Sequence, residues 1–407
     1  MTRIVPPDPK RAEDLYDLVA KVFSTGGYYE FLRFAREAYF PGSTYDWEAS
    51  RVAEADGEIV SHVGVWAYRM RVGRARLRTG GIGAVATHAG FRNRRLASRL
   101  CRAVVKSMRQ GGYDYSILFG RRNFYHRVGY VQAWPRVVHS ADVEALDAPA
   151  PRLSIRKVPL AEAVCGRGAV MRIYDRDNAT RTGSAERPIY TRTGGGWLSG
   201  DCWTLVDRAG KVRGYVVGGP RREEFAVREV GGLSRACGVG QLLAAIARLA
   251  SRAGCRRVRV EQHAPDHPLC VALRRGDCQV YTEHHRSGGA MGIVVSLRGC
   301  LAAMTGEMTD RLRASPLKRF RGTLGVEGAG EKAALTIAGG RVRLADRTGR
   351  AANRIVAGRE IARLIIGSEA PSVLAEQGDV SVHGRAAELA EALFPQRWPM
   401  DCALDHF

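Results

Sequence analysis

None of the 407 residues sits in an apolar run near the ~18–20 that a membrane helix requires, so no spanning helix is expected. The opening MTRIVPPDPK has no apolar core, and a signal peptide is not expected either. The nine cysteines are scattered, with no Cys-x-x-Cys pair and no tight Cys/His spacing for zinc. They read as reduced thiols of a cytoplasmic protein, mostly buried. His263 and His267 stand in HAPDH with a proline between them, which argues against a helical metal pair. No Ser/His/Asp set has hydrolase spacing, and no cysteine has a base nearby in sequence. Lysine is scarce: seven of the 63 basic residues.

What is present is arginine. The net charge is +22, with most of the excess before residue 296. Nucleic acid, acidic ligands and phosphate-bearing molecules all become plausible partners. No nucleic-acid motif accompanies the charge, so a solvated basic face is the simpler reading. A composition of 45% hydrophobic and 26% charged residues fits a folded chain, and its length suggests two to four domains.

Residues 9–23 and 29–39 carry helical periodicity, the second ending at Pro41-Gly42. Asp56-Gly57 predicts a hairpin turn between strand-like runs at 50–56 and 58–67. Residues 80–87 (GGIGAVAT) read as a buried, glycine-rich strand beside a ligand. A helix follows over 94–110, with Leu96, Leu100, Val104 and Met108 on one face, and then a strand at 113–119. This order belongs to an α/β unit. After the Ala/Pro-rich linker 147–152, a second segment to about 295 has its own strands and a helix at 239–252. Its ALRRGDCQV faintly echoes YHRVGYV and suggests a worn duplication. The tail from 296 reads strand, Gly-Gly turn, strand, then short helices.

The residues most suited to chemistry lie at 82–100, IGAVATHAGFRNRRLASRL. A buried strand runs into a basic turn at a helix start, where unpaired N–H groups and arginines make an anion site suited to a diphosphate. Farther on comes GRRNFYHRVGYV at 120–131. Together these resemble the GCN5-related N-acetyltransferases (GNAT), whose R/Q-x-x-G-x-G/A turn is read here as Arg92-Asn93-Arg94-Arg95-Leu96-Ala97. Arg95 stands in place of the central glycine. The resemblance implies pyrophosphate contacts at Asn93, Arg94, Arg95, Leu96, Ala97 and Ser98. It implies a strand bulge whose amides at Val85, Ala86 and Thr87 hold pantetheine and polarise the thioester. It also implies cofactor contacts at Gly120 and Arg121, and a general acid at Tyr125.

The sharper resemblance is to the enhanced intracellular survival (Eis) branch, carried by IIGS, GDVSVHG and EALFPQRWPMDCALDHF in the tail. It implies two tandem GNAT-like domains, catalytic at 1–148 and degenerate at 149–295, each a mixed sheet with flanking helices. A sterol-carrier-protein-like α+β domain follows at 296–407. In that branch the terminal carboxylate, here on Phe407, is the general base. With an intrinsic pKa near ~3.5 it requires burial or a relaying water. The amine pocket is expected among Ser24, Tyr28, Tyr29, Phe31, Trp47, Asp405 and His406.

The expected function is acetyl transfer from acetyl-CoA to a small-molecule primary amine, without a metal, membrane or specific nucleic acid. A homo-oligomer is expected, and the branch suggests a hexamer. A catalytically lapsed acyl-CoA or apolar-ligand binder and a nucleic-acid-associated basic protein are the alternatives.

Overall fold

The structure, a computed structural model, describes residues 2–24, 26–164, 168–187, 201–346 and 351–407. Cys165 lies outside them. The other eight cysteines are free thiols, all buried except the half-buried Cys278.

The first sheet begins with β1 (Arg3–Val5), β2 (Arg51–Ala55), β3 (Glu58–Val72), β4 (Ala75–Thr87), β5 (Tyr115–Gly120) and β6 (Val131–Trp134). Asp56 and Gly57 take positive φ between β2 and β3, as a primed hairpin turn requires. Two helices cover one face: α1 (Ala12–Phe23), burying Leu15, Leu18 and Val19, and α2 (Tyr28–Phe34). The latter continues as a π-turn over Ala35–Tyr39, wider than the α-helix its sequence suggests. α3 (Leu96–Gln110) buries Leu96, Leu100, Val104 and Met108, as the fourfold spacing predicts, and returns the chain to β5 parallel to β4. The one-turn α4 (Arg122–Tyr125) follows β5.

The second sheet takes β7 (Arg136–Asp142), β8 (Ser154–Pro159), β9 (Asp201–Val206), β10 (Val212–Arg221), β11 (Glu224–Gly231), β12 (Arg257–Glu261) and β13 (Cys278–Glu283). Its helices are α5 (Leu160–Val164), α6 (Ala169–Asp177), α7 (Gly238–Arg252) and α8 (Pro268–Leu273). Here α7 joins β11 to the parallel β12, repeating the β4–α3–β5 arrangement.

The two sheets exchange strands. β14 (Gly289–Val294) lies between β5 and β6 in the first sheet. β7 lies between β13 and β12 in the second. The expected boundary at 148/149 is therefore not a boundary between sheets, since β7 precedes it and β14 comes long after it. Pro135 alone separates β6 from β7. It has no N–H for a ladder, so the chain leaves one sheet there and enters the other.

The third unit has five strands in the order β17 (Arg341–Leu344), β16 (Glu331–Ala338), β15 (Gly322–Gly328), β18 (Asn353–Val356), β19 (Ser381–His383). It is joined by α9 (Leu297–Ala314), α10 (Ile361–Ile366), α11 (Pro371–Glu376) and α12 (Ala386–Leu393). Its core is continuous with one face of the first sheet, where Met70, Leu77, Tyr115 and Ile117 pack with Met304, Leu335 and Ile365. The Tyr115 hydroxyl donates to the Ala362 carbonyl at 3.1 Å.

The chain after α12 crosses all three units. Arg397 N–H donates to Gly367 in the third unit, and Met400 N–H to Thr182. Met400, Cys402 and Leu404 enter the core of the second unit with Tyr174 and Tyr215. Asp405 then meets Arg187, whose guanidinium also makes two bonds to Glu229, at 2.9 and 2.5 Å. Arg187 and Glu229 side chains are 3% and 2% exposed. Tyr215 donates to Glu229 at 2.7 Å and Tyr174 to Asp405 at 3.1 Å. Burial works to raise the Glu229 carboxyl, but Arg187 and Tyr215 outweigh it and hold it below the usual range. Its folded-state value is depressed, so its stabilising share is present above the ordinary carboxylate range and lost as pH falls. Removing the arginine leaves two carboxylates buried together. Arg187→Leu is expected to cost about 3–5 kcal/mol in chemical denaturation, and a cost under about 1 kcal/mol would contradict this account.

Candidate active site

The site forms where β4 parts from β5. Their pairing ends at Ile82 and Leu118, whereas β4 stays paired with β3 as far as Thr87 and Ser61. Two β4 residues, Ala84 and Val85, oppose Val63 alone. This is a bulge, and Ala84 has φ +44°. Beyond Ile82 the β5-facing edge of β4 pairs with no strand among the described residues.

Glycines make room for the end of the chain. A side chain on Gly81 would meet the Phe407 ring at 2.4 Å, and one on Gly83 would meet the Phe407 carbonyl carbon at 2.8 Å. Phe407 therefore lies directly on β4. Its ring packs 5.7 Å from both Tyr68 and Phe119. His406 stacks on Phe119 at 4.0 Å and bonds Asp401 at 2.5 Å, and Asp401 also accepts from Trp134 and Gln262. Burial works to raise the Asp401 carboxyl, but these bonds hold it low.

A cleft of about 1290 Å³ opens over this point. It is lined by Val85, Gly120, Arg121, Tyr125, His406 and Phe407, which the sequence had placed in the site. The Tyr125 ring lies against Gly120, where a Cβ would sit 2.2 Å from it. Burial pushes the Tyr125 phenol up, so it holds its proton at neutral pH. Among the described residues its hydroxyl has no hydrogen-bond partner.

Other expected residues lie elsewhere. Ala86 is buried, its carbonyl accepting from Ser61, and Thr87 bonds Ser61 at the strand end. The 93–98 turn lies beyond β4 and outside the cleft wall. There Asn93 and Arg95 take left-handed φ of +64° and +58°, and α3 starts with no side chain capping it. Arg95 thus adopts a conformation that glycine takes more readily. Its side chain is exposed, and the amides at the helix start remain open to an anion.

Of the expected amine-pocket residues, Ser24, Phe31 and His406 line the cleft. Tyr28 instead donates to Asp17, Tyr29 is 82% exposed, and Trp47 packs on Tyr45. Asp405 is turned away into the Arg187 ion pair, because its burial demands a partner. The cleft adds Phe23, Glu30, Arg33, Phe34, Glu37 and Tyr39. Their signal was the helical spacing of Glu30, Phe34 and Glu37. A second cavity of about 340 Å³ lies behind Phe119 and His406, which wall both spaces. No cluster of metal-binding side chains occurs among the described residues.

Residues 4–133 match the acetyltransferase (GNAT) domain family. The match supports a GNAT-type acyl-transfer domain in the first unit. Across the whole chain the fold is that of a GCN5-related N-acetyltransferase from Anabaena variabilis, with TM-score 0.77, 16% identity and 100% of both chains covered. It is similarly that of a GCN5-related N-acetyltransferase from Kribbella flavida, with TM-score 0.73, 19% identity, and 100% and 98% covered. It is also that of Eis1 from Mycobacterium abscessus, with TM-score 0.69, 16% identity and 100% of both covered. No curated protein matches the sequence.

An L-residue in the left-handed region is disfavoured by about 1 kcal/mol, which glycine avoids. Arg95→Gly is therefore expected to raise the melting temperature. A lower melting temperature would mean that the turn carries no such strain.

Proposed function

We propose that the protein transfers the acetyl group of acetyl-CoA to a primary amine by direct attack within a ternary complex. The observation that carries this reading is the convergence of Val85, Tyr125 and Phe407 on one cleft. The opened strand edge and the uncapped helix suit an extended pantetheine arm ending in a diphosphate. In this reading the terminal carboxylate of Phe407 takes a proton from the attacking nitrogen. The carbon–nitrogen bond forms, and the Val85 amide steadies the charge that develops on the thioester oxygen. When the carbon–sulfur bond breaks, Tyr125 gives its proton to the departing thiolate.

The acceptor chamber is aromatic, with Phe23, Phe31, Phe34 and Tyr39 in its walls. Glu30 and Glu37 have no ion-pair partner among the described residues. An amine carrying an apolar body suits these walls, with the carboxylates drawing in its charged form. The same reading takes the third unit as sterol-carrier-like, places the protein in the cytoplasm and expects a homo-hexamer, which light scattering decides.

Thermal denaturation with acetyl-CoA is the first test. At about 100 times its dissociation constant a single-site ligand adds about 2.7 kcal/mol. Absence of a shift at millimolar acetyl-CoA would leave a protein that has lost this chemistry. Tyr125→Phe is expected to lower kcat by about 10²–10⁴ with little change in stability. Normal turnover in that variant would remove Tyr125 from the mechanism.

A further inference from the structure

The bulge in β4 is braced by two buried rings, His62 and Tyr45, that are not part of the cleft wall. His62 on β3 is fully buried, and its Nδ1 lies 2.8 Å from the Ala84 carbonyl. Its Nε2 lies 2.8 Å from the Tyr45 hydroxyl. The Tyr39 ring packs in the same buried cluster as Ala84. A carbonyl can only accept, so Nδ1 must carry the ring proton. Burial lowers the His62 pKa to about 4, so the ring is neutral at pH 7 and Nε2 is left to accept from Tyr45.

Gly64 permits this arrangement, because a Cβ there would lie 2.9 Å from the His62 ring and 2.6 Å from Trp66. The Ala84 carbonyl is thereby fixed by a side chain, in a conformation that alanine adopts only under constraint. Val85 is the next residue and lines the cleft.

We propose that His62 is a positioning residue for acyl transfer, braced by Tyr45 and holding the Ala84 carbonyl so that the chain at Val85 keeps the course the reaction needs. The proposal rests on the acetyl-transfer reading. A group aimed at developing charge loses about 10²-fold in rate when it is missing or displaced by about an ångström.

Wild-type turnover with acetyl-CoA and an amine is measured first, and its absence would end the acetyl-transfer reading. Given turnover, His62→Leu is expected to lower kcat about 100-fold while KM for acetyl-CoA stays within about threefold. His62→Asn keeps an N–H donor near the Nδ1 position and loses only the acceptor for Tyr45. It is expected to recover kcat to within about tenfold of wild type, at a melting temperature no higher than that of His62→Leu. Wild-type kcat in His62→Leu, or equal impairment in both variants, would overturn the proposal. The nitrogen-15 spectrum of wild-type His62 is a readout that needs no activity: the Nδ1–H tautomer at pH 7 supports the proposal, and the Nε2–H tautomer overturns it.

Discussion

One guanidinium ties the segment leading to Phe407 into the core of the second unit. Arg187 sits between Glu229 and Asp405, and Asp405 stands two residues before Phe407. A buried carboxylate at position 405 would be intolerable without it. With it, the last residues have a fixed entry angle, and Phe407 reaches the glycines of β4 as a packed side chain instead of a fraying end. The Asp401–His406 pair braces the same segment from the other side. The second unit thus acts as the anchor for a residue packed against the first.

The glycines of β4 make the complementary half of that fit. Gly81 and Gly83 clear the space that the Phe407 ring and carbonyl fill, while Ala84 bends the strand away from β5. The tail and the strand are shaped to each other. The sequence signals for the two lie more than 300 residues apart, in GGIGAVAT and in the final aromatic.

Local features were the readable ones. The turn at Asp56-Gly57, the buried face of α3 and the Gly339-Gly340 turn between β16 and β17 follow from residues a few positions apart. The strand–turn–helix at 82–100 was readable for the same reason, and so was the placement of Tyr125 after β5. The partner of Asp405 was not, since Arg187 stands 218 positions away and nothing in its neighbourhood marks it. His62 lies inside the strand-like run at 58–67, with no motif around it. The register of β3 on β4 pairs it with Ala86, and only the bulge brings the Ala84 carbonyl within its reach. Half of the acceptor wall was missed because the tyrosines at 28 and 29 drew attention from the face one turn on, at Glu30, Phe34 and Glu37.

The exchange of β7 and β14 has a consequence for assembly during synthesis. When residue 134 has been made, the first sheet still has a gap between β5 and β6, to be filled by residues 289–294. Until then β5 presents a long open edge, the kind of surface that invites mispairing. β12 and β13 in turn have to find β7, already made and waiting. Neither sheet can close before the other is nearly whole, so the two halves are expected to form late and together, with the slow kinetics of contacts that span long stretches of chain.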